Sequence, residues 1–436
     1  MNLRFLFLIF LGFLSTGISQ NLNKNTTLEE VYQWKYVDYE YDSQERKDEI
    51  LKNGNYSKSK ILITNFYLVP DGRTFVTLNK NDKSPVTLAT VSKNQSSSGP
   101  LLTPYPNWQW HVRKDCFGIY RATSIQTDTC NSNRLWILDN GTDDNKTQVC
   151  QPQLLIFDLK KNRLIARYSI PRKFAQGSDG KGRLLRAIVE TSGWWCGTTK
   201  IYMSYYETSA ILVWNGRKFW RISGPNPKDL VGPLAVANKY IPAPGGIFGF
   251  ALSPKIDNNP QFIAMSSLGS FHVFTAKIDD ILASEPKVGF FKWLFSPIRN
   301  LFKRGKSQEN DTTIEITRHE YRMPNPSAAF AFDSRGILYV GVNAYISLAC
   351  ANTAKSTANK TDVPYFTVID SDPKKLQFVS GAYTFNSSVT KGKEEELWIL
   401  TNRYLDFVYD ALNLTDINYR IMKQSVKKLT DGTKCA

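Results

Sequence analysis

The sequence predicts an all-β protein: a six-bladed β-propeller with a central channel, a short helical insertion and a C-terminal helix. Three observations carry this. One short strand signature, an aromatic or aliphatic run ending near an Asn or small polar residue, recurs six times, at Thr74–Asn79, Leu135–Asn140, Ile201–Tyr206, Phe262–Ser267, Leu338–Asn343 and Leu397–Asn402. The copies are spaced by roughly 60 to 77 residues, longer than a WD40 blade and enough for four strands with their loops. Each copy is flanked by further runs rich in β-branched and aromatic residues with turn residues between them, which favours strands over helices. Six sheets that cannot each bury both faces close into a ring, the alternative being a flat two-domain sandwich.

The elements follow in chain order. Met1 to Ser19 has a short n-region with Arg4, the apolar run Phe5–Leu14 and small residues before a cut, the pattern of a secretory signal peptide. Residues 20–436 are then expected to form one propeller domain. The aromatic stretch Val31–Tyr39 is placed to complete the last blade. Blade segments are expected at Gly118–Asp128, Leu135–Asn140 and Leu154–Asp158, again at Gly246–Ser253, Phe262–Ser267 and Ser270–Phe274, and again at Ser327–Ser334, Leu338–Asn343 and Tyr365–Asp370. The widest gap holds an insertion, Pro286 to Asn310, in which bulky apolar residues interleave with Lys287, Lys292, Arg299, Lys303, Arg304 and Lys306. As a helix this would be basic and amphipathic, docked on the rim or facing an anionic surface. Ile417–Leu429 is read as the terminal helix.

With 436 residues, 42% of them hydrophobic and 22% charged, the chain can bury a large core and is not a disordered polymer. Its net charge of +16 favours polyanionic partners, heparin-like polysaccharide or lipid headgroups, without making it a nucleic-acid binder. After the leader no apolar run is long enough to span a bilayer. Six cysteines in an oxidising compartment make three disulfides, expected as Cys130–Cys150, Cys116–Cys196 and Cys350–Cys435, the first two tying neighbouring blades and the third anchoring the tail. Sequons at Asn25, Asn55, Asn94, Asn140, Asn145, Asn310, Asn359, Asn386 and Asn413 fit a secreted glycoprotein, expected to be a monomer.

No nucleophile elbow, phosphate loop or HExxH zinc motif is present. The three histidines, His111, His272 and His319, are scattered and lack partner cysteines, so no zinc site and no other cofactor is expected. Asn79, Asn140, Asn343 and Asn402 share a repeat position and offer oxygens to Ca²⁺, but acids are not evident beside most of them, which favours strand-end hydrogen bonding.

Asp115–Ile119, Cys130 followed by Arg134–Gly141, Gln148–Asp158 and Tyr105–Trp108 resemble the yellow and major royal jelly protein family across nearly the whole mature chain, nearest to the salivary yellow-related proteins of sand flies. That resemblance implies a six-bladed propeller, and a secreted salivary scavenger that binds serotonin, catecholamines and histamine in the channel without turning them over, opposing vasoconstriction, platelet activation and inflammation. It also implies the pocket: Asn343 as the amide that accepts from the ligand ammonium, Tyr345 as the stacking ring, and Ala328 beside Ser327 where relatives carry a hydroxyl. Blade-to-blade alignment adds Phe248 opposite Ala328, and the family pattern adds Tyr105. A basic protein repels a cationic amine at long range, so local acceptors such as Glu190 are required. The alternatives are an enzyme acting on amine-derived quinones, as in dopachrome conversion, a Ca²⁺-dependent hydrolase, and a surface binder of heparin-like or lipid anions.

Overall fold

A computed structural model describes residues 26–112, 115–230, 232–236, 239–243, 245–256, 259–286, 311–354 and 366–436. Six four-stranded antiparallel sheets are present. Their first strands, Ile63–Leu68, Ala122–Thr127, Leu184–Ser192, Gly249–Leu252, Phe330–Phe332 and Phe378–Phe385, contact one another in that order, and the last returns to the first. This ring of inner strands makes the molecule a six-bladed propeller.

Every copy of the sequence signature is the second strand of its blade. These strands are covered on both sides by neighbouring sheets; Thr74–Leu78 and Ile337–Val342, for example, are buried at every position. A strand buried on both faces reads as a continuous apolar run, which is why the repeat is visible in the sequence. The N-terminal strand Glu29–Trp34 pairs with Tyr419–Ser425 as the outermost strand of blade 6. The two ends of the chain thus build one sheet and close the ring. Trp34, fully buried, donates its indole N–H to the Pro100 carbonyl of blade 1 at 2.7 Å and locks the seam.

Three expectations change. Ile417–Leu429 is mainly strand, Tyr419–Ser425, and the helix that follows is only Val426–Thr430. Closing the last sheet requires a strand between Glu396–Asn402 and the N-terminus, and that requirement overrides local preference. In blade 5 the third strand is Ser347–Asn352, and the segment expected there forms the fourth, Thr367–Ser371.

The disulfides are Cys116–Cys150, Cys130–Cys196 and Cys350–Cys435. The third was expected; the first two exchange partners. Cys130 and Cys196 lie in the turns between the first and second strands of blades 2 and 3, while Cys116 and Cys150 lie at the opposite ends of the blade 2 strands. A Cys130–Cys150 bond would have to span the length of the strand Arg134–Asp139, roughly 20 Å at about 3.3 Å per residue, against the Cα separation of about 7 Å that a disulfide tolerates. The insertion from residue 287 to Asn310 lies outside the described residues, as do Asn25 and Asn359. The sequon residues Asn55, Asn94, Asn145, Asn386 and Asn413 are exposed, whereas Asn140 is buried and donates to the Leu184 carbonyl at 3.0 Å.

Candidate functional site

The inner strands leave one edge of backbone groups facing the channel. Arg186 of blade 3 reaches across the axis and donates from Nη2 to the Ser380 carbonyl of blade 6, the opposite blade, at 2.6 Å. Beside it Tyr383 exchanges hydrogen bonds with Asn65 of blade 1 at 2.9 and 3.1 Å. The waist of the channel is therefore bridged by a guanidinium, a site that repels a cationic ligand.

At the end of the channel where the second strands finish lies a feature the repeat does not reveal. The connection from blade 3 to blade 4 forms a two-stranded hairpin, Pro233–Val236 paired with Lys239–Pro242. It reaches blade 6: Lys239 pairs with Asp406, and the Tyr409 hydroxyl donates to the Tyr240 carbonyl at 2.8 Å. A segment leaving blade 3 can touch blade 6 only by crossing the mouth. Its underside, Leu234 and Val236, packs with Leu268, Ala328, Phe378 and Leu405, and Phe248 and Tyr404 lie against the same cluster. A cavity of about 280 Å³ remains between hairpin and blade 6, lined by Val236, Lys239, Gln377, Asn402, Arg403, Tyr404, Leu405 and Asp406.

The rim is aromatic. Phe378 and Tyr404 stack with centroids 4.9 Å apart, and Tyr206 meets Phe248 edge-on at 5.7 Å. Next to this pair Lys146 holds its ammonium 4.2 Å from the centre of the Tyr206 ring. The same ammonium donates to the Tyr206 hydroxyl at 2.6 Å and to Glu207 at 2.9 Å, and Arg183 lies 3.3 Å from the other Glu207 oxygen. Partial burial pushes the Glu207 carboxyl up, but the hydrogen bonds from Lys146 and Tyr206 outweigh it and hold Glu207 below its usual range. Burial raises the Tyr206 phenol, which stays protonated. A carboxylate, a phenol face and a neighbouring phenyl ring are the parts that bind an aromatic ammonium ion.

The residues expected from sequence distribute unevenly over this site. Ala328 and Phe248 come together under the hairpin. Ser327 is fully buried and engaged locally: its hydroxyl donates to the Ala329 carbonyl at 3.0 Å and accepts from Gly341 N–H at 3.1 Å. Asn343 is also fully buried; its amide donates to the Pro326 carbonyl and accepts from Val379 N–H, both at 3.3 Å. Tyr345, two residues on, is 52% exposed on a turn outside that cluster. Tyr105 sits between blades 1 and 2 against Phe75 and Phe157, in a different part of the core, where burial pushes its phenol up to about 12. Glu190 accepts from the Tyr202 hydroxyl at 3.2 Å and belongs to the opposite end of blade 3. Sequence reasoning missed Tyr206, Glu207, Tyr404 and the hairpin; the alternation Leu-Ala-Val, Lys-Tyr-Ile between Pro233 and Pro242 was the available signal.

The repeated asparagines act as clips. Asn79 bonds the segment leading into blade 1, accepting from Leu62 N–H and donating to Lys60 O. Asn140, Asn343 and Asn402 each bond the backbone at the start of the next blade. Among the described residues no group of three or more His, Cys, Asp or Glu side chains could hold a metal ion.

A family model described as Major royal jelly protein matches residues 121–435. The chain belongs to the major royal jelly protein family. Within that family it is similar to Major royal jelly protein 9 of Apis mellifera, 29% identical over 416 residues covering 93% of this chain and 89% of the relative. It is also similar to Major royal jelly protein 8 of the same bee, 27% identical over 454 residues and covering 99% of both. The family match takes in blades 2 to 5, blade 6 except for its outermost strand Glu29–Trp34, the crossing hairpin and all three disulfides except for Cys116, which precedes it.

Proposed function

We propose that the protein is a secreted, glycosylated scavenger that binds small aromatic amines, among them serotonin, catecholamines and histamine, at the hairpin-covered mouth of its channel and releases them unchanged. The observation that carries this reading is the Lys146 ammonium held between the Tyr206 hydroxyl and Glu207, which is its counter-charge, a geometry suited to any primary ammonium. The rings of Phe248, Tyr404 and Phe378 supply apolar faces for an indole, catechol or imidazole. Arg186 at the waist repels the ammonium and favours its placement at the rim. Secretion is supported by the leader pattern of Met1 to Ser19, the three disulfides and the exposed sequons; a salivary source rests on the resemblance to sand-fly proteins.

The test is calorimetric titration of the mature protein with serotonin, noradrenaline and histamine in physiological salt, followed by chromatography of the cell contents. Saturable binding with ligand recovered intact is expected. A new product would replace this reading with an enzymatic one, and absence of heat with every amine would remove it.

A further inference from the structure

Blade 3 ends, on the face opposite the hairpin, in a turn that exposes Trp194 and Trp195 by 86% and 89%. Two adjacent indoles this bare are costly in water unless something receives them, because each carries a large apolar face. The turn is well fixed. Gly193, Trp195 and Cys196 all have positive φ, at 78°, 59° and 55°, backbone that bulky L-residues adopt only when the surroundings enforce it. Cys196 N–H donates to the Gly193 carbonyl at 3.1 Å, the strand pair Ser192 and Thr198 closes the base, and the Cys130–Cys196 disulfide ties the turn to blade 2.

In an antiparallel four-stranded blade the first and third turns lie at the same end, so the charges of this face can be named. Lys160 and Lys161 occupy the third turn of blade 2 and Arg217 that of blade 3; all three are exposed and take part in no ion pair among the described residues. The nearby acids are engaged: Asp128 with Arg134 at 2.7 Å, Glu285 with Lys218 at 3.0 Å, Glu190 with Lys255 at 3.6 Å, and Asp158 with the backbone N–H groups of Lys160 and Lys161.

We infer that the Trp194–Trp195 turn is a membrane-docking tip that inserts its indoles among the headgroups of an anionic phospholipid surface while Lys160, Lys161 and Arg217 contact the phosphates. Tryptophan favours the membrane interface, where its ring is buried and its N–H stays wet, and bases beside it add attraction to anionic lipid. A second copy of this chain is disfavoured because two such faces would bring like charges together. A soluble sulfated polymer answers the charge and offers no apolar phase for the rings.

The test is sedimentation of the full-length mature protein with vesicles of phosphatidylcholine containing about a third phosphatidylserine, alongside pure phosphatidylcholine vesicles and soluble heparin as a competitor. Binding to the anionic vesicles is expected, with loss of about ten-fold or more in the W194S/W195S double variant, whose surface changes leave the core untouched. The K160E/K161E/R217E variant should also lose binding, and its thermal transition, with that of the tryptophan variant, confirms folding. No sedimentation of the wild type, or equal sedimentation of the tryptophan variant, overturns the proposal. Binding to heparin without binding to vesicles overturns it in favour of a polyanion site. Amine binding is measured separately and should be unchanged in the tryptophan variant.

Discussion

Asn402, at the end of the second strand of blade 6, donates its amide to the carbonyl of Ile63 on the inner strand of blade 1 at 3.0 Å, across 339 residues of sequence. The same bond type joins blade 2 to blade 3 through Asn140 and Leu184, and a bond of the reverse direction, from the Val379 N–H to the Asn343 side-chain carbonyl, joins blade 5 to blade 6. In blade 4 Ser266 takes the role, donating to the Ser327 carbonyl at 3.1 Å. The shared Asn position is thus a device for holding adjacent blades in register. Removing a buried partner leaves a backbone group unpaired, at a cost of about 1–3 kcal/mol. Asn402→Ala and Asn343→Ala should each lower stability in denaturant titrations by about that amount. Amine affinity in Asn343→Ala must therefore be read on its folded fraction. Unchanged midpoints would remove the clip role.

Lys146 occupies with its own ammonium the place proposed for the ligand's. Lys146→Met keeps most of the side-chain volume and frees both the Tyr206 hydroxyl and one Glu207 oxygen. Amine affinity should rise about ten-fold, corresponding to release of one charge-assisted hydrogen bond of about 1.5 kcal/mol. Glu207→Gln should weaken binding in both backgrounds. Calorimetric affinities that do not respond to either change would place the amine elsewhere.

What the sequence disclosed and what it hid follow from burial and reach. The second strands were legible because a strand such as Ile337–Val342, covered on both sides, must be apolar throughout. Closure by Glu29–Trp34 was legible from its aromatic residues. The hairpin was not, because its strands are four residues each and its importance comes from Tyr240 and Lys239 meeting blade 6 more than 160 residues away. Pairing of Cys116, Cys130, Cys150 and Cys196 depends on the end of the blade each occupies, which requires an exact strand count. At the site, Ala328 was named through the family resemblance and Phe248 by aligning blades, whereas Tyr206 and Glu207 lie at and just past the end of a repeat copy, where the pattern stops and carries no information.

The disulfide pattern has a direct chemical check. Proteolysis of the unreduced protein followed by mass spectrometry should link Cys116 to Cys150, Cys130 to Cys196 and Cys350 to Cys435. The last bond ties the C-terminal residues to the third strand of blade 5, so Cys435→Ser together with Cys350→Ser should cost about 2–4 kcal/mol, the usual worth of a native disulfide. A Cys130–Cys150 peptide would contradict the placement of these residues at opposite ends of blade 2.

His111 makes stability depend on pH. It is buried, with Nε2 2.9 Å from the Tyr105 carbonyl and Nδ1 without a partner among the described residues. That carbonyl only accepts, so the neutral ring carries its proton on Nε2. Burial is the largest influence and pushes its pKa down to about 4, from 6.5 in an exposed histidine. The unfolded chain therefore binds this proton more readily than the folded one between those values. The contribution is complete above pH 6.5 and is lost as pH falls toward 4, by up to about 3 kcal/mol. Carboxylates add their own acid dependence, so the informative quantity is the difference between wild type and His111→Gln, which can keep the donor to Tyr105 and cannot titrate. Denaturant midpoints at pH 7, 5.5 and 4.5 should fall more steeply for the wild type than for the variant. Parallel slopes would mean that the His111 ring is solvated when protonated and that the seam between blades 1 and 2 opens to admit water.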